Sequence, residues 1–119
     1  MIAGIRCALV VDDEREIREI LVRILEKDGI KAVTAQDGIE AIRKIAFAAP
    51  DAVLLDVRMP GLNGLEVLAK IQEIDSDLPV VLITAFANVR QAVEAVKGGA
   101  YDYLSKPFAN DEALRVLRR

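Results

Sequence analysis

The sequence predicts an α/β domain built on a parallel sheet, and three observations carry that prediction. Short apolar runs alternate with longer amphipathic stretches along the 119 residues. Three of the runs are apolar without a break, as strands covered on both faces are. The stretches between them switch to the i, i+3, i+4, i+7 spacing of helices packed by one side. Strands alternating with helices call for right-handed crossovers and hence parallel strands.

The strand runs are Cys7–Val11, Ala32–Ala35, Ala52–Leu55, Val80–Ile83, and Tyr103–Leu104 with its flanks. The first, third and fourth are the continuous ones, rich in Val, Leu and Ile. Helical stripes follow in order: Ile17, Ile20, Leu21, Ile24 and Leu25; Ile39, Ile42, Ile45, Ala46 and Ala49; Val67, Leu68, Ile71 and Ile74; Val89, Ala92, Val93 and Val96. Asp37 with Glu40, and Asn63 with Glu66, have capping-box spacing, while Gly29 and Gly98 stand where helices should stop. A fifth helix opens at Asn110, Asp111 and Glu112 and is still running at Arg119. Residues 1–119 therefore read as one domain, the N-terminal fragment of a longer protein.

Composition narrows the function classes. With 53% apolar and 29% charged residues the chain is an ordinary globular one, and at 4% aromatic its core must be aliphatic. A net charge of −3, with basic residues clustered only at Arg115, Arg118 and Arg119, argues against a nucleic-acid surface. No apolar run approaches a membrane span, and none has a signal-peptide layout. The lone Cys7 cannot form an internal disulfide and reads as a buried thiol in a reducing compartment, the cytoplasm. With no histidine, His-dependent nucleophile systems and His-bearing zinc sites are excluded.

In an open parallel sheet, ligands bind beyond the carboxyl ends of the strands. The first strand run ends at Asp12 and Asp13, the third at Asp56, the fourth at Thr84, and the fifth at Ser105 and Lys106. Each has a bland reading: Asp13 could cap the first helix through Glu16, Asp56 could be a loop polar residue, Thr84 a strand filler, Lys106 a solvated charge. Jointly those readings need three carboxylates, a hydroxyl and a lysine, five groups in all, to fall at one sheet edge by chance. Three carboxylates at close quarters repel unless a cation offsets them or one is protonated. An all-oxygen site with room for water suits Mg²⁺, or Mn²⁺, rather than zinc. A metal, a lysine and a hydroxyl around one carboxylate make a place for a phosphoryl group.

The segments Leu9–Glu14 (LVVDDE), Leu54–Gly64 (LLDVRMPGLNG), Val81–Ala87 (VLITAFA) and Gly99–Phe108 (GAYDYLSKPF) resemble the signature stretches of response-regulator receiver domains, over essentially the whole chain. The resemblance implies a CheY-like, flavodoxin-like doubly wound fold: five parallel strands in the order 2-1-3-4-5 with helices on both faces. It implies that Asp56 accepts a phosphoryl group from a histidine kinase's phosphohistidine. Asp13 would bind Mg²⁺ directly, Asp12 through metal-bound water, with Asp56 and the Arg58 carbonyl completing the protein's share. Thr84 and Lys106 would bond the phosphoryl oxygens, Thr84 and Tyr103 would form the switch, and Lys106–Pro107 would be a cis peptide. Switching would remodel the surface of the fourth stripe, fifth strand and last helix, with slow autodephosphorylation and a phosphorylation-dependent homodimer. Within the family, Arg90–Phe108 resembles receivers of sigma-54-dependent (NtrC-type) transcriptional activators, implying output ATPase and DNA-binding domains elsewhere in the protein.

Two rivals share parts of this pattern. A haloacid-dehalogenase-like phosphohydrolase places its nucleophile in a D-x-D after the first strand, whereas here the acids are adjacent. A flavodoxin-like cofactor binder needs a Gly/Ser/Thr-rich loop where this chain has Asp12, Asp13 and Glu14. A purely structural interaction module leaves the acidic cluster without a use.

Overall fold

The continuously apolar runs become the middle of a five-stranded sheet. In a computed structural model that describes residues 4–57, 64–84, 97, 99–105 and 110–118, the elements run β1 (Cys7–Val11), α1 (Arg15–Lys27), β2 (Lys31–Ala35), α2 (Gly38–Ala48), β3 (Ala52–Asp56), α3 (Gly64–Ile74), β4 (Val80–Thr84), β5 (Asp102–Ser105) and α4 (Asn110–Arg118). The strand order is β2-β1-β3-β4-β5 and every pairing is parallel. The predicted fold class and strand order are therefore the observed ones.

Alternation along each strand divides the apolar residues between two cores. Leu9, Val11, Val53, Leu55, Val80 and Leu82 face α2 and α3, where Ile45, Val67, Leu68 and Ile71 meet them. Ala8, Val10, Leu54, Val81, Ile83 and Leu104 face α1 and α4, against Leu21, Leu25, Val116 and Leu117. β3 is buried along its whole length, while the edge strand β2 is only partly covered. Leu54 is fully buried at the centre, so its truncation to Ala should cost about 2–5 kcal/mol.

The helix boundaries follow their local signals where those lie within the described residues. Asp37 caps α2, its Oδ1 accepting the Glu40 N–H at 2.8 Å. The return half of that box goes to the N–H of Gln36 rather than Asp37, at 3.4 Å. Gly29 follows the end of α1 with φ +79°, a conformation that favours glycine. α2 ends on Ala49 in the same left-handed region at φ 44°, where no glycine relieves the Cβ clash.

Three stripe assignments need correction. On α2 the buried side is Gly38, Ala41 and Ile45 with Ile42 beside them, while Ile39, Ala46 and Ala49 are exposed. The close approach of α2 to the sheet uses small residues, which a count of large apolar side chains does not register. Ile20 of α1 and Ile74 of α3 are also exposed. Cys7 is half-buried rather than buried, at the first position of β1. The fourth stripe (Val89, Ala92, Val93, Val96), Asn63 and Gly98 lie outside the described residues.

At the end of the sheet opposite the carboxyl ends of the strands, Asp51 Oδ2 accepts the backbone N–H groups of Arg6 (2.8 Å) and Cys7 (3.0 Å). Its own N–H donates to the Cys7 carbonyl at 2.8 Å. This carboxylate therefore pins the start of β1 against the start of β3.

Candidate functional site

Register alone brings two acids together. Val11 of β1 pairs with Leu55 of β3, so the next residues along, Asp12 and Asp56, emerge side by side at the carboxyl edge. Asp12 is fully buried and Asp56 is 4% exposed; among the described residues these are the only buried charged side chains. Asp13 stands exposed beside them. One carboxylate oxygen from each of Asp12, Asp13 and Asp56 lies within 4.8 Å of the others.

The backbone around Asp12 is held at three points. Its N–H donates to the Ala35 carbonyl of β2 at 3.1 Å. Its Oδ1 accepts the Glu14 N–H at 2.9 Å, a turn closed by an Asp side chain. Its carbonyl accepts Nη1 of Arg18 at 2.8 Å. The Asp12 side chain thus serves the turn, and α1 starts from Glu14 with no side-chain cap. The capping reading of Asp13 with Glu16 is therefore wrong: the helix starts one residue too late for that box, and Asp13 points away into the acidic site.

Asp56 is the last residue of β3, and the chain beyond it is fixed from both sides. The Val57 N–H donates to the Ile83 carbonyl of β4 at 3.0 Å, and the Val57 carbonyl accepts the Gly64 N–H at 2.8 Å. The first residue of α3 thereby lies directly on the Asp56–Val57 backbone. A Cβ on Gly64 would come within 2.5 Å of Val57 Cα and 2.6 Å of the Asp56 carbonyl oxygen. Only glycine permits that approach.

Electrostatics then asks for a cation. Two carboxylates 4.8 Å apart repel by roughly 3–4 kcal/mol at an effective dielectric near 20. Burial of Asp12 and Asp56 removes the water that would otherwise soften that repulsion. The donor set is all carboxylate oxygen, two members buried and one open to solvent, which fits a hard divalent ion that keeps part of its water shell. These residues can hold such an ion, with Asp56 left as an acceptor for an electrophile beside it.

The remaining predicted residues divide into placed and undescribed. Thr84 ends β4 and pairs with Ser105, the last residue of β5. Its backbone thus lies one register step beyond Ile83, the partner of Asp56. Tyr103 pairs with Leu82, and its side chain is 39% exposed on the opposite face from the buried Leu104. Arg58, Lys106 and Pro107 lie outside the described residues.

Sequence reasoning missed Arg18 and Gly64 as parts of this site. The signal for Gly64 was present in its glycine at a helix start soon after Asp56. Arg18 had no comparable signal, since its use depends on where α1 passes the end of β1.

Three comparisons agree with this geometry. The family model described as the response regulator receiver domain matches residues 8–118. Response regulator MprA of Mycobacterium sp. (strain KMS) is 48% identical over 110 residues, 92% of this chain and 48% of its own length. The chain thus spans about half the length of the curated relatives it matches. Among solved structures, Vibrio cholerae chemotaxis protein CheY4 superposes with a TM-score of 0.91 at 30% identity, covering 98% of both chains. The receiver domain of NtrX from Brucella abortus does so at 0.86 and 40% identity, covering 93% of this chain and 98% of that one.

Proposed function

Since the chain belongs to the response-regulator receiver family of two-component signalling, we propose that Asp56 is its phosphoacceptor and Asp12, Asp13 and Asp56 its Mg²⁺ site. Receiver domains are phosphoacceptor signalling modules rather than conventional enzymes. The observation that carries the reading is the buried Asp56 carboxylate at the end of β3, with oxygens of Asp12 and Asp13 within 4.8 Å.

Asp56 attacks the phosphorus of a phosphohistidine on a sensor kinase, since this chain has no histidine. The new bond joins an Asp56 oxygen to phosphorus as the phosphorus–imidazole nitrogen bond breaks. Asp12, Asp13 and Asp56 would hold Mg²⁺, with the Arg58 carbonyl as the further ligand that the family resemblance implies. The ion, when bound, neutralises charge on the transferring phosphoryl oxygens. Lys106 meets the same oxygens as a second cation, and the Thr84 hydroxyl bonds one of them. Burial keeps Asp56 in line and bulk water away from it. Water later hydrolyses the aspartyl phosphate slowly.

Movement of Thr84 toward the phosphoryl group then frees space into which the exposed Tyr103 ring turns. The rearranged surface passes the state to an output region, which we read as controlling transcription, with homodimerisation upon phosphorylation. The NtrC-type assignment rests on Arg90–Phe108, most of which lies outside the described residues. Among the described residues no helix is long and apolar enough to cross a membrane. A cytoplasmic location, facing a sensor kinase's catalytic part, belongs to the same reading.

Incubation with acetyl phosphate and Mg²⁺, followed by intact-protein mass spectrometry, tests the assignment. The native chain should gain one phosphoryl group and Asp56→Asn none. Equal labelling of the Asp56→Asn chain overturns it.

A further inference from the structure

We infer that Arg18 is a positioning residue for the metal site, acting through the backbone carbonyl of Asp12 rather than through any carboxylate. The inference rests on the reading of Asp12, Asp13 and Asp56 as a Mg²⁺ site. Arg18 lies one turn into α1, and its Nη1 donates to the Asp12 carbonyl oxygen at 2.8 Å. That peptide unit joins Asp12 to Asp13, so its orientation sets the directions in which the two acids leave the backbone. Two further bonds of Asp12 fix its N–H and its carboxylate. The Arg18 bond holds the Asp12–Asp13 peptide plane itself, and a guanidinium donor makes it a charge-assisted one.

Metal ligands depend on such outer partners for their aim, and losing one commonly weakens metal affinity about 10–100-fold. Asp13 needs this help more than Asp12 does, because it is exposed and lies outside regular structure. Arg18 also lines an open groove of about 450 Å³ between α1 and β2 with Glu19, Val22 and Thr34. A shorter or uncharged side chain there leaves space that water fills, not a dry cavity. Folding should therefore tolerate the substitution better than metal binding does.

Charge and position make opposite demands, which gives the test its direction. Arg18 is a cation near a site for a cation, so through-space repulsion alone predicts tighter Mg²⁺ binding when it is removed. A positioning role predicts weaker binding. Isothermal calorimetry with Mg²⁺ on the native 119-residue chain, Arg18→Met and Arg18→Lys reads the difference, with thermal melts in metal-free buffer alongside. Arg18→Met should bind Mg²⁺ about 10-fold more weakly than the native chain. Arg18→Lys, which keeps a donor to the carbonyl, should recover part of that loss. Unchanged or tighter binding by Arg18→Met overturns the inference while native binding stands. If the native chain and Asp13→Ala bind Mg²⁺ equally, the metal-site reading itself fails. A loss of affinity in Arg18→Met that only tracks a large drop in melting temperature assigns Arg18 a structural role and also overturns it.

Discussion

Two helix starts in this molecule are built on opposite plans. α2 opens on Asp37, whose side chain caps the helix at the Glu40 N–H, with Glu40 folding back onto Gln36. α1 follows three consecutive acids, Asp12, Asp13 and Glu14, and yet its N-terminus has no side-chain cap. Residues suited to stabilising the helix are present and used otherwise: Asp12 closes a turn on Glu14, and Asp13 joins the cluster. A cap typically contributes about 1 kcal/mol. Its omission at α1 leaves Asp13 in the acidic cluster at the sheet edge, while the same residue type at α2 caps its helix.

The sharpest way to break that comparison is Asp13→Ala. It should abolish Mg²⁺-dependent phosphorylation yet leave metal-free stability unchanged or higher, because like-charge repulsion is relieved and no cap is lost. Urea unfolding without metal checks the second half, and a loss near 1 kcal/mol would restore Asp13 as a cap. Next in size among effects on stability is Gly64→Ala at a third helix start. With 2.5 and 2.6 Å contacts waiting for its Cβ, it should cost about 1–3 kcal/mol and slow phosphorylation by shifting Asp56. Asp37→Ala should cost about 0.5–2 kcal/mol with phosphorylation unaffected. Comparing its unfolding midpoint with that of Asp13→Ala measures the contrast between the two plans directly.

Smaller effects sharpen the α2 side. Ala49→Gly at φ 44° should raise stability by about 0.5–1 kcal/mol, since the left-handed conformation is easy for glycine. Lys44 pairs with Glu40 at 2.9 Å and also reaches the Thr34 carbonyl of β2. The hydrogen bond from Lys44 holds the Glu40 carboxyl below its ordinary value of 4.5. The folded chain therefore takes up that proton less readily than the unfolded one. The pair's contribution is complete above the ordinary value and vanishes as pH falls through the lowered one. Both side chains are partly exposed, so the contribution should be a few tenths of a kcal/mol and screened by salt. Glu40→Gln should match the native chain in acid and fall slightly below it near neutrality, as pH-resolved urea midpoints would read.

The sheet was legible because burial on two faces leaves an unmistakable pattern. Leu9 and Val11 go to one core and Ala8 and Val10 to the other, so β1 has no polar position at all. The acidic edge was legible for a related reason, since strand ends mark the binding side of a parallel sheet. The packed side of α2 was not, because Gly38 and Ala41 make it and Ile39 does not. Nor were the bonds of Asp51 to Arg6 and Cys7, or of Arg18 to the Asp12 carbonyl, since both depend on chain paths that meet only in three dimensions.

The strand order also bears on how the sheet can assemble. β1 lies between β2 and β3, so this earliest strand to leave a ribosome cannot satisfy both of its edges until Asp56 has emerged. Asp51 is the clasp that closes this first unit, joining residues 44 and 45 positions apart. From there β4 and β5 add outward one at a time in chain order, each onto an edge already formed. After β2 has covered one edge of β1, the later strands extend the sheet from its other edge, and the inner strands should be the last to open. Amide exchange ought to run slowest in β1 and β3 and fastest in β5.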